Sequence, residues 1–272
     1  MKYITVLTIA GSDCSGGAGI QADIKTISAL GCYAASAITA VTVQDTCGVK
    51  DVLPVPAKWV GEQIKAAMED LMPDAVKIGM VTDKGVISAV AASLNGHGIP
   101  VIFDPVLISS SGYPLVSPEA MDILVKELIP ICTLLTPNIP EAETLSGVTI
   151  RTSEDMAAAG RVILMNGCRA VLVKGGHLRG HDMTDVLVTG GHPQEVVHFH
   201  ATKIDSRNTH GTGCTLSSAI ASYLARGENM PNAVAKGKQF LSDALAAGKD
   251  VSIGKGHGPL NHFFAPEKLI IK

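Results

Sequence analysis

The chain has 272 residues, 46% hydrophobic and 17% charged, which excludes a disordered chain and allows one large α/β core. Its net charge is −3 and aromatics make up 4%, with Trp59 the single tryptophan. Neither a basic nucleic-acid surface nor a base-stacking platform is expected. Mean hydropathy is +0.29, yet no apolar run approaches the roughly 18 residues of a membrane span.

The elements follow in chain order. The start, with one Lys and an apolar stretch broken by Thr5 and Thr8, reads as a first strand over Tyr3–Ala10 rather than a signal peptide. Ala18–Leu30 reads as a helix ending at Gly31, and Ala35–Val43 as a β-branched strand. Trp59–Leu71 is helical, Ala75–Ile78 a short strand, Lys84–Leu94 a helix, and Pro100–Phe103 a strand ending at Asp104-Pro105. Pro118–Leu128 reads as one helix, Leu134-Leu135 as a short strand, Ser153–Met165 as a helix, and Ala170–Val173 as a strand. Asp185–Val188 and Glu195–Phe199 form an expected antiparallel pair around Gly190-Gly191, before final helices over Cys214–Leu224 and Asn232–Ala246. This alternation predicts a single α/β domain over 1–272 with a mostly parallel sheet covered on both faces. The six cysteines are dispersed with no Cys-x-x-Cys pair, so reduced thiols in a cytoplasmic protein are expected.

Ligands of parallel sheets bind beyond the carboxyl ends of the strands. Here those positions are polar or glycine-rich: Gly11-Ser12-Asp13, Gln44-Asp45, Gly79-Met80, Asp104-Pro105, Thr136-Pro137-Asn138 and Lys174-Gly175-Gly176. The first cluster has P-loop glycine spacing from Gly11 to Gly16, but Gly17-Ala18 stand where that motif needs Lys and Ser/Thr. Gly17-x-Gly19-x-x-Ala22 only partly matches a dinucleotide fingerprint, and a glycine turn that closes over substrate is the better reading.

The sharpest signal is Asn208-Thr209-His210-Gly211-Thr212-Gly213-Cys214-Thr215 before an apolar helix. Successive amides in such a turn, backed by a helix N-terminus, suit a phosphate or developing anion. Cys214 would then sit in the first helical turn, where a lowered thiol pKa is expected. The alternative is a glycine turn with a structural cysteine. Lys174 can reach a phosphate as a point charge or be a solvated loop lysine. Asn138 and Glu141 can attend Mg²⁺ indirectly, or serve as a helix cap and first-turn acid. Asp104 is likewise a metal-associated carboxylate or a turn residue. The Gln44 carboxamide can pair with a ring nitrogen and its neighbouring amino group, or be solvated. His198 and His200 alternate on one strand face, with no third ligand at recognisable spacing to make a metal site.

Taken together, in order, these segments resemble the hydroxymethylpyrimidine/phosphomethylpyrimidine kinases of thiamine biosynthesis, within the ribokinase-like superfamily. The residues carrying the resemblance are Ala10–Asp13 with Ser15–Asp23, Thr42–Gln44, Lys77–Met80, Asp104–Val106, Thr136–Asn138 with Glu141-Ala142, Val173–His177 and His210–Cys214. It covers essentially the whole chain. It implies a three-layer αβα sandwich that uses ATP and Mg²⁺ to phosphorylate 4-amino-5-hydroxymethyl-2-methylpyrimidine, then its monophosphate.

By the same resemblance, Gln44 reads the pyrimidine, with Gly11, Asp23, Met80 and Val106 around it. Lys174, Asn138, Thr209, Gly211 and Gly213 belong to the nucleotide, and Glu141 and Asp104 to Mg²⁺. Gly211, Thr212 and Gly213 form an anion hole, and Cys214 stands where the wider superfamily carries a catalytic Asp. A thiolate there would serve as base for the first phosphorylation. A homodimer is implied, with the strand pair near Gly190 as a partner edge. The nearest rival is a pyridoxal kinase, whose substrate lacks the amino group that Gln44 suits; Ser109–Gly112 would be a flap near the site. A dinucleotide oxidoreductase and a non-catalytic sensor are the readings from other classes.

Overall fold

A computed structural model describes residues 1–107, 116–176, 182–191 and 194–272. Its nine strands form one sheet in the order β3-β2-β1-β4-β5-β6-β7-β8-β9. They are β1 Thr5–Asp13, β2 Tyr33–Asp45, β3 Gly48–Pro54, β4 Ala75–Ile78, β5 Val101–Phe103, β6 Leu134–Leu135, β7 Ala170–Val173, β8 Asp182–Thr189 and β9 Val196–Thr202. The run from β2 to β7 is parallel, while β3, β8 and β9 are antiparallel to their neighbours.

Alternation along the strands separates two apolar layers. On one face Leu7, Ile9, Val76, Ile78, Phe103 and Val171 pack under α2 (Ala57–Asp70), α3 (Lys84–Leu94), α4 (Pro118–Ile123), α5 (Ile139–Ser146) and α6 (Ser153–Leu164). On the other, Val6, Ala75, Ile102, Leu134 and Leu172 pack under α1 (Gly19–Ala29), α7 (Thr212–Ala225) and α8 (Met230–Gly248). The central strands β1, β4, β5, β6 and β7 are thus largely apolar on both sides, as expected for strands covered on both faces. This is the expected αβα sandwich.

Three local features differ from the sequence-based expectation. Strand β1 continues past Ala10 to Asp13, through a bulge opposite β2 between Ala10 and Ser12. β3 is an additional edge strand whose every residue is exposed, so it has no alternation of burial to announce it. The expected helix over 118–128 is α only to Ile123; Leu124–Leu128 widen into a π turn and Ile129–Ile131 tighten into a 3₁₀ turn. Pro130 cannot continue an α-helix, and the irregular turns keep Leu124, Leu128 and Ile129 fully buried.

One ion pair sits inside the sheet–helix interface. Lys77 of β4 and Asp23 of α1 are both wholly buried, with Lys77 Nζ 2.9 Å from each Asp23 oxygen. Thr8 of β1 donates to the same carboxylate at 2.6 Å and Ser218 of α7 at 2.8 Å. Four elements are tied to one carboxylate whose acceptor sites are filled. Burial works against charge on Lys77, but Asp23, with Cys214 and Asp104 farther off, holds its pKa above the usual value. Removing one partner of such a pair strands the other. Asp23→Ala is expected to cost about 3–5 kcal/mol of unfolding free energy in urea titration; a loss under about 1 kcal/mol, the scale of an exposed pair, would show that the pair holds nothing together.

Candidate active site

The carboxyl ends of β1, β2, β4, β5 and β7 converge on the N-terminus of α7. Gly211 caps that helix with φ +85°. A Cβ there would stand 1.9 Å from the Gly17 carbonyl oxygen, so the turn before α7 and the turn after β1 touch backbone to backbone. In the turn itself, Thr212 N bonds to Thr209 O at 3.4 Å and Thr215 N to Gly211 O at 2.9 Å. Among the described residues, the Gly213 and Cys214 amides have no protein acceptor. Two free N–H groups at a helix N-terminus are the elements of an anion site.

Charge is gathered beside it. Lys174, just past β7, donates to Asp104 Oδ1 at 2.6 Å, and Thr136 donates to the same oxygen at 3.0 Å. Both side chains press on the anion turn: a Cβ on Gly213 would lie 3.1 Å from Asp104 Oδ2 and 3.4 Å from Lys174 Nζ. Burial opposes ionisation of Asp104, but Lys174 and Lys77 hold its pKa below the ordinary range. Burial likewise opposes charge on Lys174, and Asp104 and Glu141 keep it raised. Glu141 is buried, and desolvation pushes it up to about 7 against the pull of Lys174.

Glu141 and Asn138 form a reciprocal capping box at the start of α5: Asn138 N donates to Glu141 Oε2 at 2.8 Å, and Glu141 N to Asn138 Oδ1 at 3.0 Å. The structure therefore gives Asn138's side-chain oxygen the cap role, and what it leaves for a nucleotide is the rest of the residue, bridged by backbone to Lys174. Thr209 is exposed, with its carbonyl accepting from Thr212 N at 3.4 Å.

The ring-recognition candidates Gly11, Gln44, Met80 and Val106 lie at or just past the carboxyl ends of β1, β2, β4 and β5. Gln44 ends β2 half-buried; its carbonyl accepts from Cys14 Sγ at 3.0 Å. The Met80 methyl lies against Gly11, 2.7 Å from where a Cβ would stand. Val106 is half-buried just beyond Asp104-Pro105. Asp23 is corrected: it does not line this opening, because its carboxylate is sealed at 0% exposure against Lys77, Thr8 and Ser218. A buried lysine needs that carboxylate more than a ligand does. Ser109–Gly112 and His177 lie outside the described residues.

Cys214 also departs from expectation. It occupies the first turn of α7, yet its thiol is pushed up to about 11. Burial is the main cause, and Asp23 and Asp104 add to it; Lys77 and the Gly19 amide pull the other way without prevailing. The half-charge of a helix end does not outweigh desolvation with two nearby carboxylates. At neutral pH the residue is a thiol.

Three residues escaped role assignment from sequence. Lys77 lies in the strand Ala75–Ile78 and inside a quoted motif, but no role is assigned to it from sequence. Asp13 and His210 also lie inside quoted motifs, but the bond between them, 2.9 Å from His210 Nε2 to Asp13 Oδ2, joins residues 197 apart in sequence. Only the position of a histidine next to Gly211 could have signalled it.

An αβα sandwich that gathers a lysine, two carboxylates and a glycine turn at the carboxyl ends of its strands has the build of a ribokinase-like small-molecule kinase. The sequence model described as phosphomethylpyrimidine kinase matches residues 13–261. The chain is 46% identical over 258 residues to the hydroxymethylpyrimidine/phosphomethylpyrimidine kinase of Rhizobium meliloti, covering 94% of this chain and 96% of that one. The crystal structure of phosphomethylpyrimidine kinase from Clostridium difficile superposes with TM-score 0.78 at 45% identity, covering 89% of this chain and 99% of that one. Pyridoxal kinase from Staphylococcus aureus, in complex with AMP-PCP and pyridoxal, gives TM-score 0.86 at 31% identity, covering 97% and 94%. The chain belongs to the phosphomethylpyrimidine kinase family.

The Cys214 environment makes a direct prediction. Thiolate is the reactive form, so alkylation by iodoacetamide at pH 7 is expected to be about a hundredfold slower at Cys214 than at an ordinary thiol, and to keep rising toward pH about 11. Peptide mass spectrometry reads each cysteine separately; labelling of Cys214 ahead of the exposed Cys14 and Cys47 at pH 7 would refute the raised pKa.

Proposed function

We propose that this protein uses ATP to phosphorylate 4-amino-5-hydroxymethyl-2-methylpyrimidine and then phosphorylates the product again, to the diphosphate used in thiamine biosynthesis. The observation that carries the reading is the convergence of Lys174, Asp104 and the free amides of α7 on one point, Gly213, at the sheet edge that also presents Gln44.

The chemistry follows from charge. Phosphoryl transfer depends chiefly on positioning and on neutralising the charge of the transferred group. The Gly213 and Cys214 amides and the Lys174 ammonium are the donors for that charge. In the first step the nucleophile is a primary alcohol. A thiol with a pKa of about 11 is a poor proton acceptor at neutral pH, so Cys214 contributes its amide and its fit in the turn before any role as base. In the second step the nucleophile is a phosphate monoester, with a second pKa of about 6, and is already ionised. It needs cationic surroundings more than a base.

Mg²⁺ fits the donor set. Asp104 and Glu141 place two carboxylates around Lys174, and the buried Glu141, held near 7 by desolvation, gains from a neighbouring cation. Mg²⁺ keeps several waters and binds phosphates through few protein ligands; Glu141 and Asp104 would hold it through that water shell. When bound, the ion supplies positive charge to the nucleotide phosphates.

The pyridoxal kinase fold match favours a second substrate at the same site, and Gln44 is the discriminator, because only the aminopyrimidine offers a ring nitrogen beside an amino group. Dispersed free thiols support a cytoplasmic setting. For the homodimer, the exposed β2–β3 ribbon, with Val41, Val43, Val49 and Leu53 at its surface, is a stronger contact region than the edge near Gly190.

A coupled assay with Mg²⁺ and ATP tests the assignment. About two ADP released per hydroxymethylpyrimidine are expected, with pyridoxal poor; ADP release mainly with pyridoxal would move the assignment to that vitamin. Lys174→Ala is expected to lower kcat about a hundredfold or more in both phosphorylations, and unchanged turnover with unchanged ATP KM would remove Lys174 from the mechanism.

A further inference from the structure

The carboxylate of Asp13 is the hub of the turn that follows β1. It accepts from Ser15 N at 2.8 Å, Ser15 Oγ at 2.8 Å, Gly17 N at 3.1 Å and Ala18 N at 2.8 Å. Burial works against its charge, but these bonds and that of His210 hold its pKa far below the usual range. Asp13 is therefore an acceptor only. His210 Nε2, 2.9 Å from Asp13 Oδ2, must carry a proton in either charge state of the ring.

That proton constrains Gln44. The Gln44 carboxamide lies 3.3 Å from the same Nε2 with its nitrogen toward it, which would set an NH₂ donor against an N–H donor. Its oxygen lies 3.3 Å from Thr42 Oγ1, whose hydroxyl already donates to Ser12 O at 3.0 Å. The orientation with no donor facing a donor is the reverse one. Oε1 then shares the His210 proton with Asp13, and Nε2 donates to Thr42 Oγ1. Donation then runs outward from His210, to Asp13 on one side and through Gln44 and Thr42 to Ser12 on the other, with no donor facing a donor.

The placement of His210 is tight. Its ring lies against Gly17, where a Cβ would stand 2.2 Å from Cδ2, and its amide donates to Gly258 O at 3.1 Å. It is also the residue directly before Gly211. We propose that His210 is a specificity-determining positioning residue: bound to Asp13, it fixes which end of the Gln44 carboxamide presents an acceptor and which a donor to the ring of the substrate. The ligand class selected is a heteroaromatic ring bearing an amino group beside a ring nitrogen, which needs one acceptor and one donor in a set order. The inference rests on the reading that Gln44 faces the ring.

The test is a KM-against-kcat split in the intact enzyme. His210→Leu is expected to raise the KM for hydroxymethylpyrimidine about tenfold or more, the scale of losing a hydrogen bond to a charged group. Its kcat at saturating pyrimidine and its KM for ATP are expected to change less than about threefold, because the anion turn keeps its backbone. His210→Gln, which carries an amide donor near the Nε2 position, is expected to hold the pyrimidine KM within about threefold of the parent.

A fall in kcat with the pyrimidine KM unchanged would overturn the proposal and make His210 a support of the anion turn alone. Gln44→Leu separates the two readings. If it raises the pyrimidine KM while His210→Leu does not, the positioning role fails and the Gln44 reading stands. If Gln44→Leu leaves that KM unchanged, both fall. Should His210→Leu not fold, ¹⁵N NMR of the unmutated enzyme decides: Nε2 of His210 is expected to be protonated at pH 7, and an unprotonated Nε2 would refute the network.

Discussion

A Cβ at Gly211 would meet the Gly17 carbonyl oxygen at 1.9 Å, and one at Gly17 would meet the His210 ring at 2.2 Å. Two turns almost two hundred residues apart in sequence are pressed together at a distance no side chain permits. The turn after β1 is held in shape by the Asp13 carboxylate, and the turn before α7 by its own backbone bonds, His210 N to Gly258 O and Thr212 N to Thr209 O. The free amides of Gly213 and Cys214 can be aimed because both backbones are pinned there. The anion site is a consequence of that contact.

Beneath the site, charge is stored as pairs. Lys77–Asp23 is sealed in the interior, and Lys174–Asp104 lies at its upper edge. Each lysine helps to keep Asp104 ionised, and each carboxylate raises the thiol of Cys214. The balance of these fields with desolvation, not the helix terminus by itself, decides the protonation state of Cys214. An anion-binding turn built this way offers positive charge to phosphates without offering a strong base.

That balance suits a site that performs two transfers in succession. The second acceptor is already an anion, so the demand common to both steps is the assembly of negative groups in one place. In the proposed mechanism, fixed amides and the partly exposed Lys174 meet it without rearrangement. The side of the site around Gln44 is built differently, from a carboxamide, a methionine methyl and a glycine, and Gln44 is joined through His210 to the same Asp13 that shapes the first turn.

Much of this was readable along the chain. The alternation of apolar runs and helical spacings in Val6–Ile9, Ala75–Ile78 and Ala170–Val173 determined a parallel sheet covered on both faces, because strands buried on both sides must be apolar throughout. The polar residues after each run marked the site's edge, and Gly211–Cys214 before an apolar helix marked an anion turn. The edge strand β3 was invisible because exposed strands carry no burial pattern. Tertiary structure alone decided which polar residues face a ligand and which satisfy one another. Asp23 and Lys77, 54 residues apart in sequence, neutralise each other across α1 and β4. Asn138 and Glu141 cap a helix while standing beside Lys174. Cys214 is a thiol and Asp13 an anion because desolvation and hydrogen bonding are sums over neighbours in space, and those neighbours come from every part of the chain.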